Sequence, residues 1–243
     1  MQGSNTVILD TETLYSADAC RVCRLLPEAC RAGQYAGDWG KHRFEKIGWE
    51  RKVDLGLSIG CLYSYQDDRY TFFDAAGIES TMRQWLHDQP RIVTYNGEKF
   101  DAPLLRAILR FVCDGLPEVV APARRQELTD LCDAFKAYMA TTQSYDILAH
   151  IWRADATNRF GRGLNSLGAI SQANGWGAKE MDGATAPVQW AQGRYAEVAS
   201  YCAGDVWRTK QLFDRICTGQ SFLRGDGLPI TLPVPVGMEV AGG

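Results

Sequence analysis

The chain is 243 residues long, with 46% hydrophobic and 23% charged residues, a formal net charge of -3 and a pI near 5.7. That composition suits a globular domain with a sizeable core and excludes a disordered or strongly basic chain. Absence of any apolar run near the ~18 residues a spanning helix needs, and of a basic-then-apolar leader, sets a cytoplasmic location as the expectation.

Three apolar residues, Val7-Ile8-Leu9, run straight into Asp10-Thr11-Glu12-Thr13. The run predicts a buried strand whose end carries acids. Side chains alternate along a strand, so Asp10 and Glu12 point to one face. Paired carboxylates repel unless a cation lies between them, and an oxygen-rich set suits magnesium or manganese. Residues 14–52 lack clean periodicity and hold Pro27, Gly33, Gly37, Gly40 and Gly48 beside a basic cluster of Lys41, His42, Arg43, Lys46, Arg51 and Lys52. They read as an insertion with a short helix over Ala17–Ala32, a candidate lid or substrate grip. Cys20-x-x-Cys23 with Cys30 and His42 fits no common zinc module, so packing of that helix is the preferred reading and zinc the alternative. The eight scattered cysteines read as reduced thiols.

Leu55–Tyr65 and Arg69–Asp74 form a predicted hairpin through Gln66-Asp67-Asp68. Helical spacing covers Ile78–His87, with Met82, Trp85 and Leu86 on one side, and Pro90 closes it. Arg91–Tyr95 is a short buried-type strand ending at the turn pair Asn96-Gly97, before a helix over Asp101–Val112 with Leu104, Leu105, Ile108 and Leu109 as its stripe. Further helices are predicted over Asp130–Met139, Leu164–Asn174 and Gln189–Ala203, the last continuing to about Gly219. Tyr145–Leu148 is a last strand or its connector, and the tail at 220–243, with Pro229, Pro233 and Pro235, is expected to be extended. The whole reads as one α/β domain over 1–243, a mixed central sheet flanked by helices.

Two further acids stand out. Asp101 sits near a helix N-terminus, where the dipole favours a carboxylate. Tyr201 and Asp205, four apart, share one helix face. Taken singly, each is ordinary helix chemistry.

Together, Leu9-Asp10-Thr11-Glu12-Thr13, Asn96-Gly97-x-x-Phe100-Asp101 and Tyr201-x-x-x-Asp205 resemble the three motifs of the DEDD exonuclease superfamily. The tyrosine makes the last motif similar to the tyrosine-bearing branch, which includes proofreading domains of DNA polymerases. Residues Lys179–Val188 also look like predicted exonucleases related to family B polymerases. The resemblance implies a ribonuclease H-like fold and metal-dependent 3′-5′ exonucleolysis with two divalent cations, Mg²⁺ or Mn²⁺. It assigns Asp10, Glu12, Asp101 and Asp205 to the metals and Tyr201 to the attacking water. Thr13 and Leu14 would lie beside the terminal nucleotide, and Asn96 and Phe100 along the strand, with core packing as the alternative for Phe100. Substrates would be 3′ ends of single-stranded DNA or RNA, with replication or repair proteins as further partners. Where the family joins its first two strands by a short turn, residues 14–52 intervene, which bears on the substrate entrance.

Two other readings compete: a nucleic-acid-binding accessory protein of a replication complex, and a ribonuclease H-like endonuclease. The complete acidic set argues against the first, and the Tyr-x-x-x-Asp helix against the second. Asp146, His42, His87 and His150 join no ligand pattern and are expected to be structural. No motif distinguishes DNA from RNA.

Overall fold

The computed structural model describes residues 5–14, 56–114, 122–141, 143–154 and 163–236. A five-stranded mixed sheet runs through them in the order β3-β2-β1-β4-β5. Its strands are β1 (Thr6–Thr13), β2 (Leu57–Ser64), β3 (Arg69–Phe73), β4 (Arg91–Thr94) and β5 (Ser144–Asp146). β1 lies at the centre, antiparallel to β2 and parallel to β4. Its continuous apolar start explains the position, because only a strand covered on both faces buries successive residues. Ile8 and Leu9 are both essentially inaccessible.

Alternation then sorts the core into two layers. Val7, Leu9 and Ile92 pack against α1 (Ile78–Asp88), α2 (Asp101–Asp114) and α3 (Pro122–Met139). Ile8, Cys61 and Val93 face the opposite layer, built from α4 (Ile147–Ala154), α5 (Leu167–Ala173) and the 23-residue α7 (Tyr195–Cys217). A short α6 (Ala186–Ala191) precedes α7. Each fully buried aliphatic side chain contributes roughly 1.5–3 kcal/mol to this sandwich.

Four sequence expectations change. α3 starts eight residues before Asp130, at Pro122, a residue preorganised for a first helical position. Its first turns hold no apolar stripe because they dock by charge, with Arg124 and Glu127 paired to Glu79 and Arg83 of α1 at 2.6 Å. Tyr145–Leu148 splits into β5 and the start of α4, since the Asp146 carboxylate accepts the Ala149 N–H and caps a helix. The long predicted terminal helix divides into α6 and α7 at Gly193, whose φ of 80° leaves the helical region. The tail folds back as a two-stranded ribbon, β6 (Phe222–Leu223) with β7 (Pro229–Ile230), anchored by buried Phe222 and Leu232. The predicted insertion, its short helix, Cys20, Cys23, Cys30 and His42 lie outside the described residues, apart from Leu14 at the insertion's start. No helix among the described residues is long and apolar enough to cross a membrane.

Candidate active site

α7 lays Val198, Cys202 and Val206 on the sheet, an i, i+4 stripe with no exposed surface. Tyr201 and Asp205 ride beside that stripe at the same spacing, which brings both over the end of β1. There Asp10 and Glu12 face the same helix, as period-two alternation requires. Donor atoms of Asp10, Glu12 and Cys202 all lie within 4.8 Å of one another. Asp101 reaches this point from the other layer, past the end of β4, and its carboxylate accepts a hydrogen bond from the Thr11 hydroxyl. Asp10, Glu12, Asp101, Tyr201 and Asp205 line one cleft of about 430 Å³.

The turn carrying Asp101 is held from below. Asn96 adopts φ 73°, a left-handed conformation that Asn tolerates. Gly97 presses so closely on Thr94 that a Cβ there would come 2.3 Å from Thr94 Oγ1. The buried Asp146 carboxylate accepts the backbone N–H groups of Asn96 at 2.9 Å and Glu98 at 3.0 Å. Its expected structural role therefore has a geometric content: it fixes the loop that presents Asp101. Asp146→Ala strands these two donors and the Ala149 N–H that caps α4, and should cost about 2–4 kcal/mol, read as a lower denaturant midpoint with an unchanged slope. Asp146→Asn keeps an acceptor and should cost less; equal losses would remove the carboxylate from this account.

Electrostatics mark the cleft as a place for cations. Burial first, then the charges of Asp205, Glu12 and Asp101, pushes the Asp10 carboxyl well above the carboxylate range. Glu12 is raised for the same reasons, burial leading and Asp205 next. Asp101, only 2% exposed, is pushed up to about 7, chiefly by burial and against the Thr11 hydrogen bond. Asp205 is raised by burial too, opposed by Lys179 and Arg208. The Lys179 ammonium is ion-paired to Asp205 Oδ2 and donates to the Tyr201 hydroxyl at 2.8 Å. Asp205 Oδ1 is buried and accepts no hydrogen bond from the described residues, with Arg208 Nη1 3.5 Å away. Burial and the neighbouring carboxylates push the Tyr201 phenol far up, so it stays protonated.

These carboxylates fit hard divalent cations. They are converging oxygen donors whose charged forms are costly without a counter-charge, and one buried oxygen has lone pairs unspent. The Cys202 thiol, 3.6 Å from Asp10 Oδ2, adds a soft donor beside them. Thr13, Asn96 and Phe100 also line the cleft. Phe100 is half-buried against the α1–α2–α3 layer as well, so it belongs to both core and cleft. Leu14 is not among the lining residues; its N–H donates to Gly56 O at the end of β1. His87 pairs with Asp88, and His150 stacks on Tyr145, both away from the acids. Sequence reasoning assigned no role to Lys179 or Cys202. The similarity of the Lys179–Val188 stretch to exonucleases was the available signal for Lys179, whose stem lies against Gly168 of α5.

Residues 62–228, more than two thirds of the chain, match the family described as predicted 3′-5′ exonuclease related to the exonuclease domain of PolB. The matched span holds Asp101, Lys179, Tyr201 and Asp205, while Asp10 and Glu12 precede it and join them through the pairing of β1 with β2 and β4. The chain matches no curated protein and no solved structure.

Proposed function

Because the chain belongs to this family of predicted 3′-5′ exonucleases related to the exonuclease domain of PolB, we propose that it removes nucleotides from the 3′ end of single-stranded DNA or RNA. The observation that carries the reading is the convergence of Asp10, Glu12, Asp101 and Asp205 with Tyr201 in one cleft.

The reaction is hydrolysis. Water attacks the terminal phosphorus, the bond from phosphorus to the 3′ oxygen breaks, and the shortened strand leaves with a 3′-hydroxyl. Asp10, Glu12, Asp101 and Asp205 would hold two divalent cations. Such ions supply a hydroxide at neutral pH and neutralise charge on the leaving oxygen. Tyr201, protonated throughout, orients the water by hydrogen bonding instead of taking its proton. Lys179, donating to the Tyr201 hydroxyl, fixes the phenol's position and brings positive charge to where the phosphate gains negative charge. Thr13 lies beside the terminal nucleotide, and Asn96 and Phe100 face the strand being degraded, Phe100 offering an aromatic face for a base.

Digestion of 5′-labelled DNA and RNA oligonucleotides with Mg²⁺ or Mn²⁺, beside an EDTA control, tests the reading. A metal-dependent ladder shortening from the 3′ end supports it; intact oligonucleotides in every lane overturn it. Tyr201→Phe should slow cleavage by roughly 10- to 1,000-fold, the range for losing a positioning group. A variant that cleaves at the parental rate would take Tyr201 out of the mechanism.

A further inference from the structure

We propose that a second cavity, behind the turn that carries Asp101, binds the phosphate backbone of the strand whose 3′ end enters the cleft. The inference rests on the exonuclease reading and deepens it.

This cavity, about 620 Å³, is lined among the described residues by Arg106, Lys136 and Arg153, with Glu98 as the one described carboxylate facing them. His150 also lines it, but burial and Arg153 lower its pKa, so the imidazole is neutral at neutral pH. Three cations against one acid is the reverse of the neighbouring cavities. The catalytic cleft sets Asp10, Glu12, Asp101, Asp182 and Asp205 against Lys179. A third cavity of about 840 Å³, between β3 and α1, sets Asp67, Asp74 and Asp88 against Arg69.

The cations are available to a ligand. Arg153 meets Glu98 only at 3.8 Å, with both side chains largely solvated, a pairing worth little. Neither Arg106 nor Lys136 has an ion pair among the described residues. Arg106 Nε and Ser144 Oγ, both on lining residues, are buried without a hydrogen-bond partner among the described residues. Unmet buried donors are costly, and a phosphate oxygen would satisfy them.

Position links this cavity to the chemistry. Ala102, beside Asp101, lines it, and Arg106 follows one helical turn later on the same face of α2. On α4, Leu148 lines the catalytic cleft, while His150 and Arg153 line the basic cavity. The two cavities therefore flank a single turn, and a strand leaving the acids crosses that turn onto the cations. A chain of net charge -3 has no global attraction for a polyanion, so its affinity must come from such a patch.

The test uses Lys136→Gln/Arg153→Gln, two exposed positions, with Arg106→Gln as a separate variant and melting curves as the folding control. For the double variant, the ratio of kcat/KM on a 12-nucleotide strand to that on a dinucleotide should fall about tenfold at moderate salt. The slope of log affinity against log salt for the 12-mer should flatten by about 1.4, for two lost phosphate contacts on a single strand. An unchanged ratio and slope would overturn the proposal. Fluorescence anisotropy with the 12-mer in EDTA separates the two readings. A wild type that cleaves nothing defeats the exonuclease assignment, yet the same slope change in binding would still sustain the groove. Poly-glutamate binding as tightly as the oligonucleotide, with equal sensitivity to the double variant, would overturn assignment to nucleic acid.

Discussion

Asp10→Asn is expected to lose cleavage by about 10³- to 10⁵-fold, as when a metal ligand or catalytic charge is removed, while melting at a higher temperature than the parent in EDTA. Both outcomes come from the same side chain. Asp10 stands among Glu12, Asp101 and Asp205, and burial with their repulsion raises its pKa. An amide of the same shape removes one of four converging charges, so the metal-free fold gains a few degrees while the site loses a ligand. Lost activity with lost stability would mean that Asp10 holds the fold together, and retained activity would mean that it holds no metal.

Asp205→Asn should also abolish cleavage, but it is a less clean probe. Asp205 is the ion-pair partner of Lys179 and lies 3.5 Å from Arg208, whose side chain is only 3% exposed. Neutralising Asp205 leaves Arg208 with a 3.4 Å contact to Glu180, whose side chain is largely exposed, and the Ala178 carbonyl. A buried charge stripped of its partner is costly. The melting temperature of Asp205→Asn in EDTA should therefore lie below that of Asp10→Asn, although both variants remove one carboxylate from the same cleft.

The strands of the sheet and the motif elements of the cleft were legible because they obey local rules. Val7–Thr13 reads as a strand from its apolar run, Asn96-Gly97 as a turn from its backbone demands, and Tyr201 with Asp205 as one face from helical spacing. What escaped depends on contacts distant in sequence. The first turns of α3 dock on α1 through Arg124 and Glu127, a charge pairing that leaves no hydrophobic period. Lys179 sits in an irregular stretch between α5 and α6, and only the fold brings its ammonium to Tyr201 and Asp205. Asp146 reads as a lone acid because two of the three N–H groups it accepts, those of Asn96 and Glu98, lie about fifty residues upstream. The basic cavity draws Arg106, Lys136 and Arg153 from three helices, a grouping no linear pattern encodes.

Divalent metal should stabilise the protein strongly at alkaline pH and weakly near pH 5. The sign follows from the raised carboxyls. Unfolded, Asp and Glu titrate near pH 4; folded and metal-free, Asp101 is pushed up to about 7 and Asp10 and Glu12 are raised as well, burial leading in each case. Between those values the folded state binds more protons than the unfolded one, so metal-free stability falls as pH rises from about 4 through about 7. Protons compete for the same oxygens as the cation, so the stabilisation conferred by metal grows over the same interval. At a hundredfold excess over Kd, ligand binding contributes about 2.7 kcal/mol, or roughly 5–11 °C in Tm for a chain of this size. Melting curves in EDTA and in excess Mn²⁺, taken from pH 5 to 8, should diverge steadily with pH. Parallel curves would mean that the metal binds elsewhere than at these acids. A divergence abolished in Asp10→Asn would tie the binding energy to the carboxylate that opens the site.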